Sequence, residues 1–199
     1  MRVLAVLAII FSLTISVRSE TPGGLIPDVV LKEGDTVPTF EGRTQAGALW
    51  KSSDFVGKKY LVVYFYPAAF TSGCTRQACL FRDQKEQLEA AEIEVIGVSG
   101  DQVEGQSLFH RHHSLNFSQL CDTDGRIAGM FGVPVREGDT ISRSIDGIEH
   151  SLARGVTASR WTFVIGKDGK VVRRSTAVDP EKDCQNVLET VRRLASASE

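Results

Sequence analysis

The sequence predicts an α/β domain with a parallel sheet and an added hairpin, on three grounds. Leu61 to Tyr66, LVVYFY, is β-branched, aromatic and apolar on both alternating faces, as a strand buried on both sides must be. From Cys74 to about Ala91 the apolar residues Cys74, Ala78, Phe81 and Leu88 follow helical spacing among the polar Arg82, Asp83, Lys85, Glu86 and Glu89, and Ile93 to Ser99, IEVIGVS, reads as a second strand. A strand, a helix and a strand within about 40 residues form a βαβ unit, which pairs its strands in parallel. Arg160 to Ser175, RWTFVIGKDGKVVRRS, then sets two strand-like runs around Asp168-Gly169, a β-hairpin pattern.

The remaining elements follow along the 199 residues, the length of one domain with its own core. The chain begins MRVLAVLAIIFSLTISVRSE, with an early Arg2, an apolar and small-residue stretch from Val3 to Val17, and small residues around Arg18. This is the pattern of a secretory signal peptide, residues 1–19, cleaved after Ser19. The stretch falls short of the roughly 18 to 20 residues a span needs, which favours cleavage over an uncleaved membrane anchor. Residues 20–35, rich in Pro and Gly, read as a linker or irregular lead-in, and 36–199 as the domain. Pro67 ends the first strand. A second helix is expected from about Gln102 to Ser114 and a short one near Gly125 to Phe131. Pro134 to Ser159 has no clear period and reads as a long loop with room for a short hairpin. The last helix starts at DPEKD, where Asp179 can cap and Pro180 suits the first position, with Val187, Leu188, Val191 and Leu194 as its apolar stripe.

The formal charge is −2, and loss of the two arginines Arg2 and Arg18 brings it to −4. No basic run exists, so nothing points to nucleic acid as a partner. Export places the four cysteines where thiols are readily oxidised, and four cysteines allow three pairings.

Cys74 and Cys79 stand in the predicted helix that follows Pro67. On an intact helix five residues advance about 7.5 Å and turn about 140°, which separates their Cα atoms by roughly 8.7 Å. A disulfide needs Cα atoms closer than about 7 Å. The pair can bond only if the first turn or two unwinds, so it reads as a redox switch with a conformational change built in. Cys74 lies in the first turn, where unpaired N–H groups and the positive end of the dipole favour a thiolate, and Thr71 can place a hydroxyl beside it. Cys79, deeper in the helix, lacks that help. Arg160 opens an otherwise mostly apolar strand, so its charge needs a specific partner.

These residues carry a resemblance. PAAFTSGC matches the Pro-x-x-x-Thr-x-x-Cys signature of peroxiredoxins, and GCTRQACLFRD is similar to the Q-type branch, the bacterioferritin comigratory protein group, with a second cysteine five residues on. The likeness runs from about Leu31 to the carboxyl terminus, including IGVSGD and ASRWTFVIGKDGKV. It implies a thioredoxin-like fold, a central mixed β-sheet flanked by helices with the peroxiredoxin elaboration, and a monomer. It implies Cys74 as the peroxidatic and Cys79 as the resolving cysteine, Thr71 bonding peroxide and thiolate, Pro67 shielding the pocket, and Arg160 orienting Cys74 and the peroxide oxygens. The implied reaction reduces hydrogen peroxide or an organic hydroperoxide through a Cys74 sulfenic acid and a Cys74–Cys79 disulfide, with a thioredoxin-like dithiol as reductant and no cofactor or metal. The sequence departs from the pattern at Ser72, where the family often has Pro, at Ala68 and Ala69, at Trp161 and in the length of 134–159.

Two other readings remain open on the residues alone. The cysteines with His110, His112 and His113 have zinc-like ligand numbers, although His110 and His113 share a helical face that His112 does not. A redox sensor could use the same disulfide without turnover. Cys184 lies on the apolar stripe of the last helix and Cys121 ends a short strand; both read as packing, with a disulfide between them as the other option.

Overall fold

The computed structural model describes residues 30–196, so the signal peptide assigned to residues 1–19 and most of the lead-in lie outside the described residues. What is described of the lead-in is irregular yet tied down: Leu31 N–H bonds the Phe131 carbonyl at 3.3 Å, and Gly34 and Asp35 exchange bonds with Val171 at 2.8 and 2.9 Å. Two short strands, Glu41–Arg43 (β1) and Leu49–Lys51 (β2), pair antiparallel ahead of the main sheet. In that sheet Tyr60–Phe65 (β3), Ile93–Ser99 (β4) and Ser118–Cys121 (β5) run parallel, while Trp161–Ile165 (β10) lies antiparallel between β3 and Val171–Ser175 (β11). The sheet is therefore mixed, as a thioredoxin-like fold requires.

Alternation along β3 sorts the core into two layers. Leu61, Val63 and Phe65 pack with Phe40, Trp50, Phe131 and Phe163, and Val62, Tyr64 and Tyr66 pack with Phe81, Leu88, Val187 and Leu188. Tyr64 stacks on Phe81 with ring centroids 4.9 Å apart and runs across Gly97, where a Cβ would come within 2.8 Å of its hydroxyl. Glycine there lets the ring lie flat on the neighbouring strand.

The helix expected from Cys74 to Ala91 is two helices, Ser72–Asp83 (α1) and Lys85–Ala90 (α2), broken at Gln84. Leu88 stays buried across the break, which is why the apolar spacing runs through it. Val103–His112 (α3) and Arg126–Phe131 (α4) stand where expected. The segment read as a long loop with room for a short hairpin holds two nested hairpins: Val135–Glu137 (β6) pairs with Val156–Ala158 (β9), and inside them Thr140–Ile145 (β7) pairs with Ile148–Ala153 (β8) around Asp146-Gly147. Both turn residues have positive φ, 51° and 79°, as a two-residue hairpin turn demands. The last helix, Asp183–Ser196 (α5), begins later than DPEKD predicts, because Asp179 caps the turn before it, its carboxylate accepting from Glu181 N–H at 3.0 Å.

The start of α4 has no cap from its own boundary residue, Gly125. Asp122 supplies it, accepting from the N–H groups of Ile127 (2.9 Å) and Ala128 (2.8 Å). Asp122→Ala is expected to lower stability by about 1–2 kcal/mol, read as a lower urea midpoint at unchanged slope. An unmoved midpoint would show that the carboxylate contributes nothing to α4.

Candidate active site

Where β3 ends, the chain turns through Pro67 and two buried alanines into α1. Ala69 packs with Ala78, Phe109 and Leu115, so the small residues at 68 and 69 fill core rather than line a pocket. Phe70 has φ 59°, a left-handed conformation rare for an aromatic residue, and its ring is held by Phe109 at 5.2 Å, His113 at 5.6 Å and His112 at 5.8 Å. Thr71 is extended and occupies the boundary position of α1 without a side-chain cap, and the first intrahelical bond runs from Thr75 N–H to its carbonyl at 2.8 Å. Cys74 is therefore the third residue of the helix, with its N–H in the unpaired first turn.

The pairing of Trp161 with Phe65 sets Arg160 at the same end of the sheet. Arg160 Nη2 donates to Cys74 Sγ at 3.2 Å and Nη1 donates to Gln77 Oε1 at 2.5 Å. Gln77 Nε2 donates in turn to Asp183 Oδ2 at 2.7 Å, and Thr162 Oγ1 donates to the same oxygen at 2.7 Å. A guanidinium fixed on the sulfur of a cysteine 1% exposed, at the positive end of a helix, is an arrangement that stabilises a thiolate.

The AhpC/TSA family model matches residues 33–174, well over half of the chain. The chain belongs to the AhpC/TSA family. It is 39% identical over 141 residues to peroxiredoxin Bcp of Escherichia coli strain K12, covering 71% of this chain and 83% of that one, and 35% identical over 163 residues to the chloroplastic peroxiredoxin Q of Sedum lineare, covering 81% and 78%. Among solved structures, peroxidoxin BcpB of Mycobacterium tuberculosis superimposes with a TM-score of 0.69 at 32% identity, covering 82% of this chain and 98% of that one. The bacterioferritin comigratory protein of Xanthomonas campestris, studied for its alkyl peroxide reduction activity, shares the fold with a TM-score of 0.65 at 24% identity, covering 84% and 99%. The chain is thus a peroxiredoxin of the Bcp and Q group, a thiol peroxidase by class.

In this peroxiredoxin Cys79 is half-buried and shares the unbroken α1 with Cys74, and both thiols are free. Of the residues read from sequence, Pro67, Thr71, Cys74 and Arg160 converge on one end of the sheet. The Thr71 hydroxyl donates to the Ala68 carbonyl at 3.0 Å, not to Cys74. Gln77 and Asp183 escaped the sequence reading, although each is a polar residue on an otherwise buried helical stripe. Cys121 and Cys184 are both unpaired, and burial, the largest cause, pushes each thiol up to about 12. The histidines differ from expectation: α3 ends at His112, so His112 and His113 pack ring to ring at 4.7 Å beside Phe70, while His110 turns to Gln119 at 3.0 Å. Among the described residues no three His, Cys, Asp or Glu side chains are grouped to hold a metal ion.

A buried polar network fixes the loop from the other side. Asp101 Oδ2 accepts from Ala69 N–H at 2.9 Å and from the Ser99 hydroxyl at 2.7 Å, Gln106 Nε2 donates to Ser99, and the Tyr66 hydroxyl donates to Gln106 Oε1 at 2.8 Å. Burial pushes the Asp101 carboxyl above its ordinary value of 3.8, outweighing the bonds from Ser99 and Ala69 and the nearby Arg154. The folded protein then holds this proton more tightly than the unfolded chain. The contribution of Asp101 to stability is full below the unfolded value and is lost as pH rises through the folded one. The stability of the wild type relative to Asp101→Asn should therefore increase as pH falls from about 7 toward about 4, followed by urea unfolding at each pH. A difference that stays flat across that window would rule out a raised Asp101.

Proposed function

We propose that this peroxiredoxin reduces hydrogen peroxide and organic hydroperoxides through a Cys74 sulfenic acid and a Cys74–Cys79 disulfide, recycled by a thioredoxin-like dithiol protein. The 3.2 Å contact of Arg160 with Cys74 Sγ carries the reading. The guanidinium stabilises charge first on the sulfur and then, as the O–O bond lengthens, on the departing oxygen. The thiolate attacks one peroxide oxygen, the S–O bond forms as the O–O bond breaks, and the leaving oxide takes a proton to depart as water or alcohol. Because the Thr71 proton is committed to Ala68, its oxygen is left to accept from the peroxide hydroxyl, and Pro67 walls the same turn. The alkyl peroxide reduction studied in the Xanthomonas relative supports organic hydroperoxides as substrates.

Cys79 then attacks the sulfenic sulfur, water leaves, and a disulfide forms; a dithiol reduces it by exchange. On α1 as it stands the two Cα atoms are roughly 8.7 Å apart, beyond disulfide reach, so this step needs unwinding. The far end of α1 is pinned, since Arg82 Nη1 donates to the His113 carbonyl and Asn116 Nδ2 donates to the Arg82 carbonyl at 3.0 Å. Unwinding is thereby confined to the turns before Arg82.

One equivalent of hydrogen peroxide added to pre-reduced protein should remove two hydrogens, mapped by peptide mass to Cys74 and Cys79. Cys74→Ser should not react, Cys79→Ser should undergo one fast oxidation and then over-oxidise without thioredoxin-linked recycling, and Arg160→Met should slow Cys74 oxidation on the order of a hundredfold. Full peroxidase activity in Cys74→Ser would overturn the assignment. We also place the mature chain outside the cytoplasm, on the pattern of residues 1–19. The mass of protein recovered from the periplasm or medium of expressing cells should then begin at Glu20; recovery with Val3–Val17 retained in the membrane would contradict cleavage, and recovery only in the cytoplasm would contradict export.

A further inference from the structure

The hydrogen bonds that reach Arg160 do not stop at the helix that carries Cys74. Arg160 Nη1 rests on Gln77 Oε1, and Gln77 Nε2 on Asp183 Oδ2, the first residue of α5 and 106 positions away in sequence. Beyond the half-buried Arg160 the chain of bonds is inside: Gln77 is 0% exposed, Thr162 2% and Asp183 3%. An amide has an accepting end and a donating end, and only one orientation offers an acceptor to the guanidinium. Asp183 Oδ2 accepts from the Gln77 nitrogen and so leaves the amide oxygen turned toward Arg160; burial raises the Asp183 carboxyl above its ordinary value, against the bonds from Thr162 and Gln77 and the charges of Arg173 and Arg160. Thr162 holds Asp183 in place from the strand that Arg160 precedes. Arg160 and Arg173 supply the neighbouring positive charge, and Tyr64 and Cys184 are the other titratable groups close to the carboxyl.

We propose that Asp183 is a positioning residue for the peroxide reaction: through Gln77 it orients Arg160 on Cys74 and holds the first turns of α1 wound. The inference rests on the roles given to Cys74 and Arg160 above. Gln77 lies between the two cysteines and must leave with the unwinding segment, which strips Asp183 of one of its two hydrogen-bond donors while the carboxyl remains buried. That loss opposes unwinding. Asp183 therefore favours attack on peroxide and restrains disulfide closure, acting on the two steps in opposite directions.

The test is single-turnover oxidation by hydrogen peroxide, followed as a function of pH in a Cys79→Ser background that isolates the first step, and disulfide closure followed with Cys79 present. Asp183→Leu should slow Cys74 oxidation about tenfold to a hundredfold, move the midpoint of its pH profile upward, and speed closure. Asp183→Asn keeps an oxygen to accept from Gln77 and Thr162 and should restore most of the oxidation rate. Gln77→Met, which cuts the chain at its middle, should reproduce Asp183→Leu and serves if that variant does not fold. A slower reaction with an unmoved midpoint would reduce Asp183 to a structural role, and a wild-type rate in both Asp183→Leu and Gln77→Met would end the proposal. Failure of the unaltered Cys74 to oxidise would instead strike at the underlying assignment.

Discussion

A half-buried guanidinium must have acceptors, and Arg160 finds both of its own on one turn of α1, at Cys74 and Gln77. The rest of the site is arranged around that need. Antiparallel pairing of β10 with β3, Trp161 against Phe65 and Phe163 against Val63, brings Arg160 to the end of β3 where the chain turns into the helix. Residues two apart share a face, so Arg160 and Thr162 both point into the layer of α1 and α5. A slip of one residue would turn Arg160 to the other side of the sheet and leave the thiol without its cation.

The same turn of helix has to satisfy two opposed demands. In the proposed mechanism, reaction with peroxide requires it wound against Arg160, and closure of the Cys74–Cys79 disulfide requires it unwound. The structure divides α1 accordingly. Its far end is bonded to the segment after α3 through Arg82 and Asn116, whereas its start is held through side-chain contacts at Gln77 and Cys74 that can be given up one by one. The joint at the start carries strain. Phe70 at φ 59° costs about 1–2 kcal/mol relative to a right-handed conformation, and it persists because three rings and the Ala69 to Asp101 bond surround it.

Most of the frame was legible in the chain because local pattern and global role agree there. LVVYFY is apolar on both faces because β3 is central, and IEVIGVS matches β4 from Ile93 to Ser99. Arg160 stood out as a charge opening an apolar strand. The break at Gln84 was illegible because Leu88 keeps the helical phase across it, and of the nested hairpins of 134–159 only room for one short hairpin was legible, because only Ile145 and Leu152 of β7 and β8 are buried, which leaves no alternation to read. The Asp146-Gly147 pair was the available signal. Gln77 and Asp183 acquire meaning only through a contact spanning 106 positions, and no local pattern encodes that.

The four cysteines differ in the feature that the proposed mechanism assigns to the reactive one. Cys74 and Cys184 both lie in the first turn of a helix, both are buried, and both belong to the same apolar cluster. A helix start alone would treat them alike. Yet burial, aided by the adjacent Asp183, pushes the Cys184 thiol up to about 12, and burial with Asp101 and Glu104 does the same at Cys121. At those values a thiol is a packing group, not a nucleophile at neutral pH. What Cys74 has and Cys184 lacks is a guanidinium at 3.2 Å. The carboxylate that helps seat that guanidinium is also the one that discourages ionisation of Cys184. With Cys74 as the proposed nucleophile, the distinction depends on the register of β10, which sets Arg160 on it, more than on the dipole of α1, and a single buried carboxyl at the head of α5 stands on both sides of it.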